Sequence, residues 1–222
     1  MRRFLKPLVF VLCLVPLGLT GFDLLTGRIH GEWIKEITHR TGYWGLIFIT
    51  ATLAITPLRR ITGWNRLQSY RRMLGLFGFF HICVHFLVIY VVLDKQVPWD
   101  PGPAWREIVK DIAKRPYITV GFTGFVLMVP LAVTSTTGWI RRLGRKWAGL
   151  HALVYVTAMA GVIHFAWSVK ADRLRPDVIG LVLVVLLGLR LLPPRLLQRL
   201  RRHPPVEPLD LDRRTDVPAL TD

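Results

Sequence analysis

Four histidines, His81, His85, His151 and His164, stand inside strongly apolar stretches of the chain. An imidazole at membrane depth is costly without a partner, so it marks either chemistry or a bonded packing role. Haem iron would suit such residues, because neutral imidazoles are good axial ligands and a pair of them leaves no coordination position open. Bonding to a neighbouring carbonyl or hydroxyl is the structural alternative, weightier for a lone histidine than for a matched pair.

The elements that must hold these side chains are membrane helices. The chain has 222 residues, is 52% hydrophobic and carries a formal charge of +16. Its cations lie in loops between apolar runs, so they read as determinants of membrane topology and not as a nucleic-acid surface. Spanning a bilayer takes about 20 apolar residues, fewer with snorkelling flanks. Six segments qualify: Pro7–Phe22, Gly42–Pro57, Met73–Leu93, Tyr117–Thr137, Ala148–Ser168 and Val178–Leu192. Each must satisfy its own backbone, so the expected fold is an all-α, six-helix transmembrane bundle over residues 1–192. The first apolar run imitates a signal peptide, but no A-x-A cleavage site follows, and it is read as a retained helix. The proline- and charge-rich tail, residues 193–222, is expected to be a disordered cytoplasmic extension. Cys13 and Cys83 form no CxxC pair, which argues against a disulfide framework or a thiolate metal site. No internal repeat, nucleotide-binding glycine loop or soluble cofactor domain is evident.

Counting Lys and Arg on alternate sides gives nineteen with the termini and eleven opposite, so the positive-inside rule puts both termini in the cytoplasm. The third and fifth helices then run in the same direction. His85 lies thirteen residues beyond Arg72 and His164 seventeen beyond Trp147, so both come to rest in the outer half of the bilayer, able to ligate one metal from facing helices. His151 sits about 20 Å lower on the same helix as His164 and some 140° around it. That depth would suit a second haem, but Arg71 and Arg72 occupy the matching level of helix three. His81 is one turn before His85 on nearly the same face and is the weaker ligand candidate. His39 lies in an outer loop and is weaker still. Arg71, Arg72 and Arg145, near the inner face, serve topology and lipid phosphate, or pair with haem propionates, a flavin phosphate or a quinone headgroup.

Several local strings carry a resemblance. RRMLGLFGFFHICVHF, RPYITVGF, VTSTTGWIRRLGRKWAGLHALVY and IHFAWSVK, with the shorter ITHRTGYWGL and ITPLRR, resemble the MsrQ (YedZ) family over about residues 38–170. The resemblance implies a ferric-reductase-like transmembrane fold in a bacterial inner membrane, binding haem b and, by family report, FMN. It implies electrons drawn from the respiratory quinone pool and passed to a periplasmic molybdopterin-containing partner, MsrP, which reduces methionine sulfoxide in oxidised proteins. His85, His151 and His164 match the family's haem-associated positions; His81 matches none. Two-haem members of the superfamily carry a histidine pair on each of two helices, and arginine at the inner position of helix three leaves a second haem in doubt.

The leading expectation is therefore a membrane electron conduit, with sulfoxide reduction on the partner. Its rivals are a histidine-relay transporter of protons or metal ions, and a cofactor-free anchor for a partner protein. A relay would favour acidic residues within the spans, which hold none apart from Asp177, counted at the edge of the last. An intramembrane hydrolase lacks GxSxG and HExxH motifs.

Overall fold

The structure, a computed structural model, describes residues 2–97, 99, 101–169 and 173–192. The expectation for the tail lies outside these residues. Among them the fold is all helical: α1 (Arg2–Leu25), α2 (Trp33–Thr62), α3 (Gln68–Cys83), α4 (Pro101–Lys114), α5 (Pro116–Val133), α6 (Thr137–Leu143), α7 (Arg145–His151), α8 (Leu153–Ser168) and α9 (Leu174–Leu191). A short 3₁₀ turn, Asn65–Leu67, leads into α3, which continues as a π-helix over Val84–Asp94.

Five helical stretches are long and apolar enough to cross a membrane: Leu5–Leu25, Trp33–Thr62, Asn65–Asp94, Pro116–Val133 and Arg145–Ser168. The sixth expected span falls within α9, whose eighteen residues include Arg175, Asp177 and Arg190. The short second span is the middle of a 30-residue helix, about 45 Å long, which outreaches the hydrocarbon at its ends. The fifth span is not one continuous helix: it is interrupted at Ala152, between α7 and α8, where the Ala152 N–H is shared between Ala148 and Gly149 carbonyls.

Two antiparallel pairs, α2 with α3 and α5 with α8, form the framework, with α9 against α8 and α2 and α1 on the outside of α2 and α3. Glycine makes the first pair close. A Cβ on Gly78 would meet Ile49 Cγ1 at 3.0 Å and the Gly45 carbonyl at 3.5 Å, so the backbones touch as small-residue interfaces in membranes allow. The core lies where the pairs meet: Leu53, Ala158 and Leu183 are fully buried beside Ile49 and Met128. Apolar side chains such as Phe10, Leu12, Val126 and Val184 face outward, the pattern of a body solvated by lipid. Thr41, Thr50 and Thr52 on α2 bond back to their own helix, at the carbonyls of Ile37, Leu46 and Phe48, while the buried Thr56 hydroxyl has no partner among the described residues.

Helix ends follow the local sequence. Gly63 at φ 76° closes α2 by donating its N–H to the Arg59 carbonyl, a left-handed position that suits glycine. Pro116 starts α5, where its missing N–H costs nothing. Between the third and fourth spans lies the fourteen-residue α4, which buries Ala104, Ile108 and Asp111 at helical spacing.

Candidate functional site

Between the two helix pairs lies a cavity of about 680 Å³, within the range of about 300–1,000 Å³ usual for cofactor pockets. Its depth is apolar, with Ile49, Met128 and Phe125; its mouth carries Lys35, His39, Lys95, Asp111 and Arg115. Thr157 lines it too, with a buried hydroxyl that has no partner among the described residues.

His85 and His164 face each other across this space, ring centroids 6.1 Å apart and planes at 76°. The His85 Nδ1 lies 2.9 Å from the Thr38 carbonyl, and the His164 Nδ1 lies 2.7 Å from the Tyr117 carbonyl. A carbonyl can only accept, so Nδ1 carries the proton in both rings and Nε2 keeps its lone pair. This is the arrangement in which a backbone carbonyl fixes the tautomer and orientation of a metal-binding imidazole. With metal–nitrogen bonds of about 2 Å, the ring separation suits one metal ion held between the two Nε2 atoms.

The two half-sites are built alike. Each histidine bonds a carbonyl 47 residues earlier in the chain, and each ring lies against the glycine four residues beyond that carbonyl, Gly42 for His85 and Gly121 for His164. No repeat is evident in the sequence because the carbonyls belong to unlike residues, Thr38 and Tyr117. The constant spacing is the signal that could have found them.

His151 is differently engaged. Its Nε2 lies 3.0 Å from the Thr134 hydroxyl, whose own proton goes to the Pro130 carbonyl at 2.6 Å. The hydroxyl must therefore accept, and His151 Nε2 must donate. Trp147 stacks on the ring at 4.0 Å and donates its indole N–H to the Thr134 carbonyl. His151 thus joins the ends of α5 and α7, and it does not line the cavity. His81 is also outside the cavity, buried against Phe48 and Phe77, with Nδ1 bonded to the Phe77 carbonyl. Its divergence from His85 begins where α3 passes into the π-helix at Val84, which alters the turn between them; such π segments recur at functional sites.

The inner arginines stand apart from the cavity as well. Arg72 and Arg145 are exposed, while Arg71 is half-buried and close enough to His151 and Arg190 to interact through charge. Arg190 reaches in from α9, donating to the Leu53 carbonyl at 2.6 Å and to the Tyr155 hydroxyl. The cations that do line the cavity, Lys35, Lys95 and Arg115, sit at its other end, together with His39, which lies near enough to feel both facing imidazoles.

At that mouth α4 is tied down by ion pairs. Asp111 bonds Lys95 at 3.1 Å, the Tyr90 hydroxyl at 3.0 Å and Arg115 at 3.1 Å, and Lys95 also faces Asp94 and Glu107. Burial pushes the Asp111 carboxyl up, but Lys95, Tyr90 and Arg115 outweigh it and hold the group below its ordinary range. Burial pulls Lys95 down, and its carboxylate partners hold it above its ordinary range. A depressed carboxylate stabilises above its unfolded pKa and is lost as pH falls through the folded one; the raised amine contributes below its unfolded pKa and is lost as pH rises through the folded one. The tether is therefore at full strength between about pH 4 and 10. Limited proteolysis of the α3–α4 connection should accelerate below about pH 4, and a cleavage rate flat down to pH 3 would contradict the tether.

The ferric reductase like transmembrane component family matches residues 41–162, which takes in His85 and stops two residues before His164. Proteins from Xanthomonas euvesicatoria and Herminiimonas arsenicoxydans are each 44% identical to the chain, and one from Rhodospirillum rubrum is 46% identical. The matches cover 83–84% of this chain and 84–86% of each relative, and all three relatives are named protein-methionine-sulfoxide reductase heme-binding subunit MsrQ. The chain belongs to the MsrQ family. Within that family, the present structure supplies what the name does not: a cavity between two helix pairs, and two histidines oriented from opposite sides of it. Among the described residues no group of three or more His, Cys, Asp or Glu is assembled that could hold a metal ion.

Proposed function

We propose that the chain is a membrane electron-transfer subunit that holds haem b between His85 and His164. The observation that carries this reading is the facing pair itself: two imidazoles 6.1 Å apart, each with Nδ1 committed to a carbonyl, bordering an amphiphilic cavity of about 680 Å³. Bound haem supplies a one-electron iron couple, and two histidine ligands favour electron transfer over oxygen chemistry. The chain's own work is to orient the ligands and surround them with apolar side chains. Lys35 and Arg115 offer positive charge at the mouth.

In the finer reading, electrons come from the quinone pool on the cytoplasmic side, with both termini there, and leave at the cavity mouth toward periplasmic MsrP for repair of methionine sulfoxide. In this reading Arg71, Arg72 and Arg145 are the inner-face cations that would meet an FMN phosphate or quinol headgroup. His151 serves the α5–α7 joint, which supports a single haem. A proton relay through the pair is disfavoured, since both Nδ1 protons are given to backbone carbonyls.

The visible spectrum of the purified protein, with haem and flavin quantified on the same sample, tests the reading. A Soret band and about one haem per chain are expected. Absence of the band, or a band unchanged when both histidines are replaced, overturns it. Quinol-driven reduction of MsrP in reconstituted vesicles separates a conduit from a bare anchor, which would bind the partner but pass it no electrons.

A further inference from the structure

We infer that Gly42 and Gly121 are positioning residues for the two ligands, seats that set the rotation of each imidazole, and that the seat at Gly121 is the stricter. This rests on the axial-ligand reading above and deepens it. In each half-site the helix that accepts the Nδ1 proton also presents a bare Cα to the ring one turn later. At Gly121 a Cβ would lie 2.6 Å from His164 Nδ1, 2.8 Å from Cγ and 2.9 Å from Cε1. Cγ is the root of the ring, so a turn about the Cβ–Cγ bond does not relieve that overlap. The imidazole must move bodily and give up the Tyr117 carbonyl. At Gly42 the nearest atoms, His85 Nδ1 and Cε1, would be at 3.1 Å, and a tilt of a few tenths of an ångström suffices.

At Gly121 general helix packing does not account for this. Gly124 lies one turn further along the same α5–α8 interface, and a Cβ there would meet Ala160 Cβ at 3.4 Å, ordinary van der Waals contact. Along α5 the tight position is the one under the ring; on the α2–α3 side close approach extends beyond Gly42 to Gly45 and Gly78, where a Cβ would lie 2.5 Å from Ile82 Cδ1 and 3.0 Å from Ile49 Cγ1. The same carbonyl, glycine and histidine recur in both helix pairs, at Thr38, Gly42 and His85, and at Tyr117, Gly121 and His164. Two seats on opposite sides hold the ring planes 76° apart. For a low-spin ferric centre, near-perpendicular ligand planes give a strongly anisotropic paramagnetic resonance spectrum, whereas parallel planes give a rhombic one.

The test uses the full-length haem-loaded protein and three single variants, Gly121→Ala, Gly42→Ala and Gly124→Ala, read by paramagnetic resonance, haem-to-protein ratio and midpoint potential. The parent should show the strongly anisotropic low-spin signal. Gly42→Ala should keep its haem and shift that signal and the potential. Gly121→Ala should lose most of the low-spin signal and several-fold in haem content, and Gly124→Ala should match the parent. Should Gly121→Ala fail to accumulate, Gly42→Ala decides the matter alone. A parent signal of bis-histidine type that both ring-seat variants leave unchanged overturns this inference while the ligand reading stands. Gly124→Ala as damaging as Gly121→Ala also overturns it, in favour of plain helix packing. A parent with no bis-histidine signal removes the ligand reading and the seats together.

Discussion

Alanine at His85 or His164 should lower haem retention by more than about tenfold, abolish the six-coordinate low-spin spectrum, and stop electron delivery to the partner. Even the loss of groups that merely orient a metal ligand costs about 10–100-fold in affinity, and here the ligand itself goes. Each variant also removes an imidazole donor from a carbonyl, at Thr38, which keeps the Thr41 hydroxyl, or at Tyr117. The two replacements should be equivalent in outcome, because the half-sites are equivalent in construction. Alanine at His151 is the informative contrast. It removes a bond to the Thr134 hydroxyl, worth about 0.5–1.5 kcal/mol, and should leave the spectrum and the haem-to-protein ratio unchanged. A fall from two haems to one in that variant would restore an inner haem at His151 and refute the single-haem reading.

Valine at Gly78 should be nearly as destructive, although Gly78 does not border the cavity. The position is where α3 presses on α2, and a Cβ there would meet Ile49 Cγ1 at 3.0 Å, the Ile49 nitrogen at 3.3 Å and the Gly45 carbonyl at 3.5 Å. Two of those three atoms are backbone and cannot rotate away. Overpacking of this kind costs about 1–3 kcal/mol, sometimes more. The helices must separate, and the π-helix carrying His85 moves off the Thr38 carbonyl with them. The expected result is a lower melting temperature in detergent together with weakened haem retention. Unchanged stability with unchanged haem would show that α2 and α3 are not held as closely as described.

The pairing of His85 with His164 was legible from depth alone, since counting residues from the charged ends of two parallel helices brings them to one level. What sequence could not supply was rotation. His81 and His85 look like neighbours on one face as long as the helix is taken to be α throughout, and the π-helix from Val84 breaks that premise. His151, which has no histidine opposite it in the sequence, lies against Thr134, an ordinary hydroxyl at the end of another helix. Only the bond from Thr134 to Pro130 shows which way the proton must lie. The glycine seats were hidden for a related reason: a carbonyl acceptor leaves no trace in side-chain type. The inner arginines were singled out by charge and proximity to the membrane surface, whereas the cations bordering the cavity, Lys35, Lys95 and Arg115, come from the ends of different elements.

The locality of each seat also bears on biogenesis. Thr38, Gly42 and His85 are all present once α3 and its π-helical extension have been made, so the first imidazole can be fixed before anything later in the chain exists. Seventy-nine residues separate His85 from His164, about 4–16 s of ordinary synthesis. The second imidazole is fixed within its own helix pair in the same way. The space between the rings arises only when the two pairs associate, which makes cofactor loading the last event in maturation and lets a nascent chain wait for it without exposing a half-made metal site.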